Sequence, residues 1–108
     1  MTIKDKNLEI MMIFKDCIPL LTVLSEEKRQ EIVLVLSEEP EGLNVNSITE
    51  KIHLSRPAVS HHLKILKQAG IVELMNKGTE NYYFLTLKEG VERLKKLISI
   101  IEENCELK

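Results

Sequence analysis

The sequence predicts a mainly α protein with one small β-hairpin, an α+β fold in the order α-α-α-α-β-β-α. Three observations carry this. Apolar residues recur at helical spacing near both ends of the chain and through its first two thirds. The period changes to strand-like alternation only between about residues 71 and 87. A short polar link containing Gly78 divides that stretch, as a hairpin requires. The 108 residues amount to a single domain, 1–108.

The first helix spans about 6–24. Ile10, Phe14, Cys17 and Leu21 recur at steps of four, three and four, one face of a helix. Pro19 lies inside that pattern and predicts a kink or a break. A second helix starts after Ser25, the expected N-cap, with Glu26 and Glu27 in its negatively charged first turn. The unbroken run Ile32 to Leu36 predicts that this helix is the most buried one, and Pro40 and Gly42 close it. A short third helix begins at Asn44, carries Ile48 and Ile52 on one face, and stops near His53. Ser55 as N-cap, with Pro57 in the first turn, starts a fourth. Val59, Leu63, Leu66 and Ala69 form its buried stripe and Gly70 its C-cap.

Strands follow at Ile71 to Met75 and Tyr82 to Leu87, joined by Asn76-Lys77-Gly78-Thr79. The last helix runs over about 88–105. Val91, Leu94, Ile98, Ile101 and Cys105 form a seam at steps of three and four, and Leu97 and Ile100 widen it, so it packs on two surfaces. A monomer of this size cannot fully bury both end helices and still cover its middle. The expected solution is a homodimer built from the helices at about 6–24 and 88–105, with an intramolecular pairing as the alternative.

Hydrophobic residues make up 44% and charged residues 30% of the chain, the balance of a soluble globular protein. No apolar run is long enough to cross a bilayer, and no signal peptide is apparent, so a cytoplasmic location is expected, with no membrane partner. Net charge is −2, but its distribution is uneven. Residues 51–88 hold six of the fifteen basic residues and two of the seventeen acids, which makes that segment +4 and leaves −6 elsewhere. A basic middle in an acidic chain fits a surface turned toward a polyanion; chance clustering is the plain alternative.

The middle, about 44–87, reads helix, tight turn, helix, hairpin: a winged helix-turn-helix. Its second helix has the geometry to enter a major groove about 12 Å wide and to read bases with its N-terminal exposed side chains. Those are Ser55, Arg56, Ser60 and His61, with Lys64 one turn on. Arg56 suits a guanine edge through a bidentate fork. Ser55, Lys64 and Lys67 lie where phosphates run, and Lys77 serves the wing.

The stretch Leu54-Ser55-Arg56-Pro57-Ala58-Val59-Ser60-His61-His62-Leu63-Lys64-Ile65-Leu66, with Ala69-Gly70-Ile71-Val72 after it, resembles the recognition helix of the ArsR/SmtB winged-helix repressors. Leu24 to Arg29 with Ile32 and Leu34 resembles the start of that family's second helix, and Gly78, Tyr82-Tyr83 and Leu85-Thr86 its wing. The resemblance covers roughly residues 20–90. It implies a homodimeric transcriptional repressor that binds double-stranded DNA at a palindromic operator, with half-sites about 34 Å apart. It also implies that His62 is a scaffold histidine behind the recognition helix. Many members answer to a metal ion. Here the segment that holds a Cys-x-Cys pair in the family reads Leu43-Asn44-Val45-Asn46-Ser47, and residues 88–108 contain no His and no Asp. Neither familiar metal site carries over. Thr79 and Glu80 stand where the family's wing is often basic, and Phe84 where Arg is common, so wing contact with phosphate rests mainly on Lys77.

Cys17 and Cys105 each lie on an apolar stripe of an end helix. The plain reading is two buried thiols acting as small hydrophobes. A dithiol redox switch and a soft-metal site are the alternatives. His53, His61 and His62 do not form a metal site, because neighbouring residues on one helix point about 100° apart. Glycine-rich phosphate loops, nucleophile elbows and His-carboxylate sets are absent, so no enzyme, no catalytic residue and no cofactor is expected. The effector stays open: an oxidant, a metal bound elsewhere, a small molecule or none. A winged-helix module that grips a protein partner is the alternative function, and the steep salt dependence of phosphate binding separates the two.

Overall fold

The computed structural model describes residues 5–104. Its elements are α1 (Asp5–Leu24), α2 (Glu27–Ser37), α3 (Val45–Ile52), α4 (Arg56–Gln68), β1 (Val72–Lys77), β2 (Glu80–Leu85) and α5 (Lys88–Asn104). This is the order and architecture of a winged helix-turn-helix.

Local chemistry sets the central unit. Asn44 caps α3, its Oδ1 accepting the Ser47 N–H at 2.8 Å. The helix stops because His53 adopts a left-handed conformation, φ 54°, while its N–H still reaches the Thr49 carbonyl. Two residues later Ser55 Oγ accepts the Ala58 N–H at 3.3 Å and α4 begins. α4 buries Val59, Leu63 and Leu66 completely. They meet Ile32 and Leu36 of α2, Ile48 and Ile52 of α3, and Ile71 and Val72 at the start of the hairpin. Each such side chain contributes about 1.5–3 kcal/mol by leaving water, so this cluster fixes the roll of α4 about its axis.

The start of α2 differs from the sequence expectation. The N-cap is Glu26, not Ser25: the Glu26 carboxylate accepts the Arg29 N–H at 2.9 Å. Because α1 runs to Leu24, the Ser25 hydroxyl is taken by the end of α1, donating to the Thr22 carbonyl at 2.6 Å. Nor is α2 the most buried helix. Only Ile32 and Leu36 are buried, and Leu34 is 65% exposed. Five consecutive apolar residues wrap right round a helix at about 100° per residue, and no single neighbour covers them all. Glu26 also faces α4. His62 Nδ1 lies 3.9 Å from its carboxylate and 3.4 Å from Arg29 Nη1, while Arg29 Nε donates to the Val23 carbonyl at 2.8 Å. A guanidinium only donates, so Nδ1 is the acceptor in that contact. His62 is thus half-buried behind α4, the scaffold position that the family resemblance implies.

β1 and β2 pair antiparallel from Val72↔Leu85 to Lys77↔Glu80. The hairpin is longer and tighter than the sequence pattern indicates, with Gly78-Thr79 alone as the turn. Gly78 has φ 65°, which the first position of a two-residue hairpin turn demands. A third segment joins: Leu43 and Tyr83 exchange backbone hydrogen bonds of 2.9 and 2.8 Å. The join is possible because residue 42 is glycine. Gly42 has φ 87°, and a Cβ there would lie 2.6 Å from the Tyr83 carbonyl oxygen.

α1 and α5 pack on each other through Ile13, Cys17 and Leu97, with Leu94, Ile100 and Ile101 around them. α1 runs unbroken through Pro19, which has no N–H to offer the Lys15 carbonyl; both residues are exposed. The buried face of α1 is Ile13, Cys17, Leu20 and Val23; of the stripe expected from the sequence, Phe14 and Leu21 are exposed. On α5 the buried residue is Leu97, while Val91 and Ile98 of the expected seam are exposed. The molecule measures 54 × 26 × 23 Å, with a radius of gyration of 17.1 Å. A compact domain of 100 residues has about 13 Å. Among the described residues no helix is long and apolar enough to cross a membrane.

Two outcomes follow from these contacts. Gly42→Ala forces a left-handed alanine against the Tyr83 carbonyl and should lower stability by about 2–4 kcal/mol in urea unfolding; a loss under about 0.5 kcal/mol would mean that the Leu43–Tyr83 join is not fixed. The Arg29 and Lys28 backbone N–H groups hold the Glu26 carboxyl below its ordinary value of 4.5. A depressed carboxyl stabilises the fold above its unfolded value, and that contribution is lost as pH falls through the folded value. Glu26→Gln should therefore be less stable than wild type at neutral pH, with the gap closing below pH 4.5. A gap independent of pH would show that the charge on Glu26 plays no part.

Candidate nucleic-acid interface

With one face of α4 sealed into the core, the side chains left to solvent are determined. Ser55, Arg56, Ser60, His61, Lys64 and Lys67 are all exposed, and Lys77 is exposed on the hairpin. At about 100° per residue, Arg56, Ser60, Lys64 and Lys67 fall within a sector of about 80°, and His61 lies about 60° beyond Lys64. No acidic side chain sits on α4. The positive end of the helix dipole lies at Ser55 and Arg56, where an anion is favoured. The Ser55 oxygen is occupied by the Ala58 N–H, which leaves its O–H free to donate.

Arg56 is not loose. Its Nη1 donates to Asn46 Oδ1 at 2.7 Å, across the turn between α3 and α4. Sequence periodicity gives no sign of this contact, because it joins the first turns of two helices ten residues apart. Asn44 has two roles as well. Beyond capping α3, its Nδ2 donates to Glu80 Oε2 at 3.2 Å, and that carboxylate also accepts the Tyr82 hydroxyl at 3.3 Å. The α3 start, the α4 start and the hairpin turn thereby enclose a polar cleft of about 200 Å³, lined by Asn44, Asn46, Arg56, Glu80 and Tyr83 among others.

Lys77 is placed differently from a free wing-tip cation. Its Nζ donates to the Glu41 carbonyl at 3.2 Å and sits 4.8 Å from the centre of the Tyr82 ring. The hairpin packs back on the loop before α3, and Lys77, held at that junction, keeps two N–H donors exposed to solvent.

The other candidates separate. Cys17 is fully buried in the α1–α5 core, its Sγ 3.6 Å from the Arg93 carbonyl oxygen. Cys105 lies outside the described residues, and the alternative of a dithiol switch between the two thiols lies there with it. His61 and His62 have ring centres 6.0 Å apart and face different surroundings, one solvent and one the α2 start. Among the described residues no three His, Cys, Asp or Glu side chains converge as metal ligands. Asn44 and Asn46, at the start of α3, are both engaged in hydrogen bonds.

Residues 26–73, from the α2 cap through α4, match the family model described as bacterial regulatory protein, arsR family. The chain is 35% identical over 72 residues to an uncharacterized HTH-type transcriptional regulator of Methanocaldococcus jannaschii, covering 67% of this chain and 76% of that one. It is 36% identical over 62 residues to the transcriptional repressor SdpR of Bacillus subtilis, covering 57% and 67% of the two. Among solved structures, the transcriptional regulator HlyU of Vibrio vulnificus aligns with a TM-score of 0.68 at 28% identity, covering 87% of this chain and 97% of that one.

Proposed function

The chain belongs to the ArsR family of bacterial regulatory proteins and is a DNA-binding transcriptional regulator; from that premise we propose that it is a homodimeric repressor that occupies a palindromic operator in the cytoplasm. One observation carries the reading. The exposed side of α4 offers Arg56, Ser60 and His61 near its N-terminal half and Lys64 and Lys67 further along, with no acid among them. In this assignment Arg56, Ser60 and His61 meet base edges, with Arg56 suited to guanine O6 and N7. Ser55, Lys64 and Lys67 meet phosphates and set the register. Lys77 joins them from the hairpin with the donors that Glu41 leaves free.

Apolar surface on the end helices supports the dimer. α1 exposes Phe14, Ile18 and Leu21 on a side other than the one packed on α5, and α5 exposes Val91 and Ile98. Water-facing aliphatics at this density mark a protein interface. A two-fold through these helices sets two α4 helices to read half-sites about 34 Å apart. Any effector that acts on Cys17 has to open the α1–α5 core first, since the thiol is fully buried.

Titration of the protein against its own upstream DNA and against random duplex tests the reading. Arg56→Ala should cost about 1–3 kcal/mol on the operator and far less on random DNA. Equal losses on both would make Arg56 a phosphate contact. Lys64→Ala should weaken both alike and lower the salt slope by about one; an unchanged slope would remove Lys64 from the phosphate set. Ile18→Glu should convert the protein to a monomer in sedimentation, because an unpaired carboxylate is costly in an apolar interface. A dimer that survives this change would place the interface elsewhere.

A further inference from the structure

We infer that Asn46 is a positioning residue for base reading: its amide oxygen holds the Arg56 guanidinium so that the rest of the fork is presented, pre-oriented and fully charged, to a guanine. The inference rests on the proposed role of Arg56 as a base contact. It starts from the 2.7 Å bond between Arg56 Nη1 and Asn46 Oδ1. Both side chains are exposed, so the bond is not a device for satisfying a buried group.

The chemistry of the partner matters. Arg56 is in none of the ion pairs among the described residues. A carboxylate at position 46 would cancel the guanidinium charge and compete with DNA for it. A neutral amide restrains the same group and leaves its charge intact. The bond uses one of five N–H donors. Four remain, on Nε, Nη1 and Nη2, and Nε with Nη2 suffices for a bidentate contact to O6 and N7. An arginine on a surface helix otherwise samples many rotamers, and ordering it on binding weakens the complex.

Asn46 can do this because its own helix is held. The cap at Asn44 is tied to Glu80 of the hairpin, and Leu43 is paired with Tyr83. The α3 start is therefore a strut between the wing and the recognition helix, and Arg56 leans on its end.

The test is a double-mutant cycle of Asn46→Ala and Arg56→Ala. Binding is read on three duplexes: the protein's upstream operator, the operator with its guanines replaced by 7-deazaguanine, and random DNA. Asn46→Ala should weaken operator binding about five- to tenfold, with random-duplex binding and the urea midpoint unchanged. It should also shrink the penalty for 7-deazaguanine, because the lost contact is to N7. In the Arg56→Ala background it should have no further effect. Operator binding that is unchanged or tighter in Asn46→Ala would overturn the proposal, the tighter case meaning that the bond holds Arg56 away from DNA. So would losses that add in the double variant, or a loss of equal size on random DNA. If Arg56→Ala itself leaves operator binding intact, the base-contact role of Arg56 falls and this proposal falls with it, an outcome distinct from an additive cycle.

Discussion

The burial of Val59, Leu63 and Leu66 is the constraint on which the rest of the molecule depends. Three aliphatic side chains on one face of a 13-residue helix leave it one stable roll angle against α2 and α3. Every functional statement about α4 follows from that angle. Were the stripe shifted by one residue, Ser60 and Lys64 would turn into the core and Val59 and Leu63 out of it. Because polar burial is costly and aliphatic exposure wasteful, packing alone decides which side chains are offered to solvent. His62 sharpens the result. It sits at the edge of the buried face against Arg29 and Glu26, and so marks where the core ends and the exposed face begins.

A second layer of contacts turns an exposed helix into an oriented surface. The hairpin is not a free flap: backbone bonds between Leu43 and Tyr83, and the Asn44–Glu80 bond, fasten it to the start of α3. The start of α3 in turn touches the start of α4 through Asn46 and Arg56. Surface hydrogen bonds of this kind add little to global stability. Their effect is on geometry, because they limit the rotation of the wing and the rotamers of Arg56.

What was legible in the sequence was local. Asn44, His53, Ser55, Pro57 and Gly70 are start and stop signals that act over one turn, and the bounds of α3 and α4 follow from them. The buried stripe of α4 was legible because a single face of it is apolar. The end helices were harder for the opposite reason. α1 is apolar on more than one side, so periodicity picks out Ile10, Phe14 and Leu21 as readily as Ile13, Leu20 and Val23, and only the position of α5 selects between them. The α2 cap fell to Glu26 because the end of α1 claims Ser25, a competition that no short window contains. Lys77, Asn44 and Asn46 follow the same rule. Their partners lie 36, 36 and 10 residues away, and nothing in the local pattern names them.

In the proposed complex the exposed face of α4 lies in a major groove and reads it. The most direct measurement is protection of guanine N7 from methylation across the protein's own upstream DNA, with the protein titrated at moderate salt. N7 lies in the major groove, so the probe sees only that side of the duplex. Two protected guanine clusters are expected, with centres about one helical turn apart, lost when salt displaces the protein. Uniform protection, or none at low salt with the protein folded, would contradict this placement and would mean that this face of α4 serves some purpose other than reading DNA.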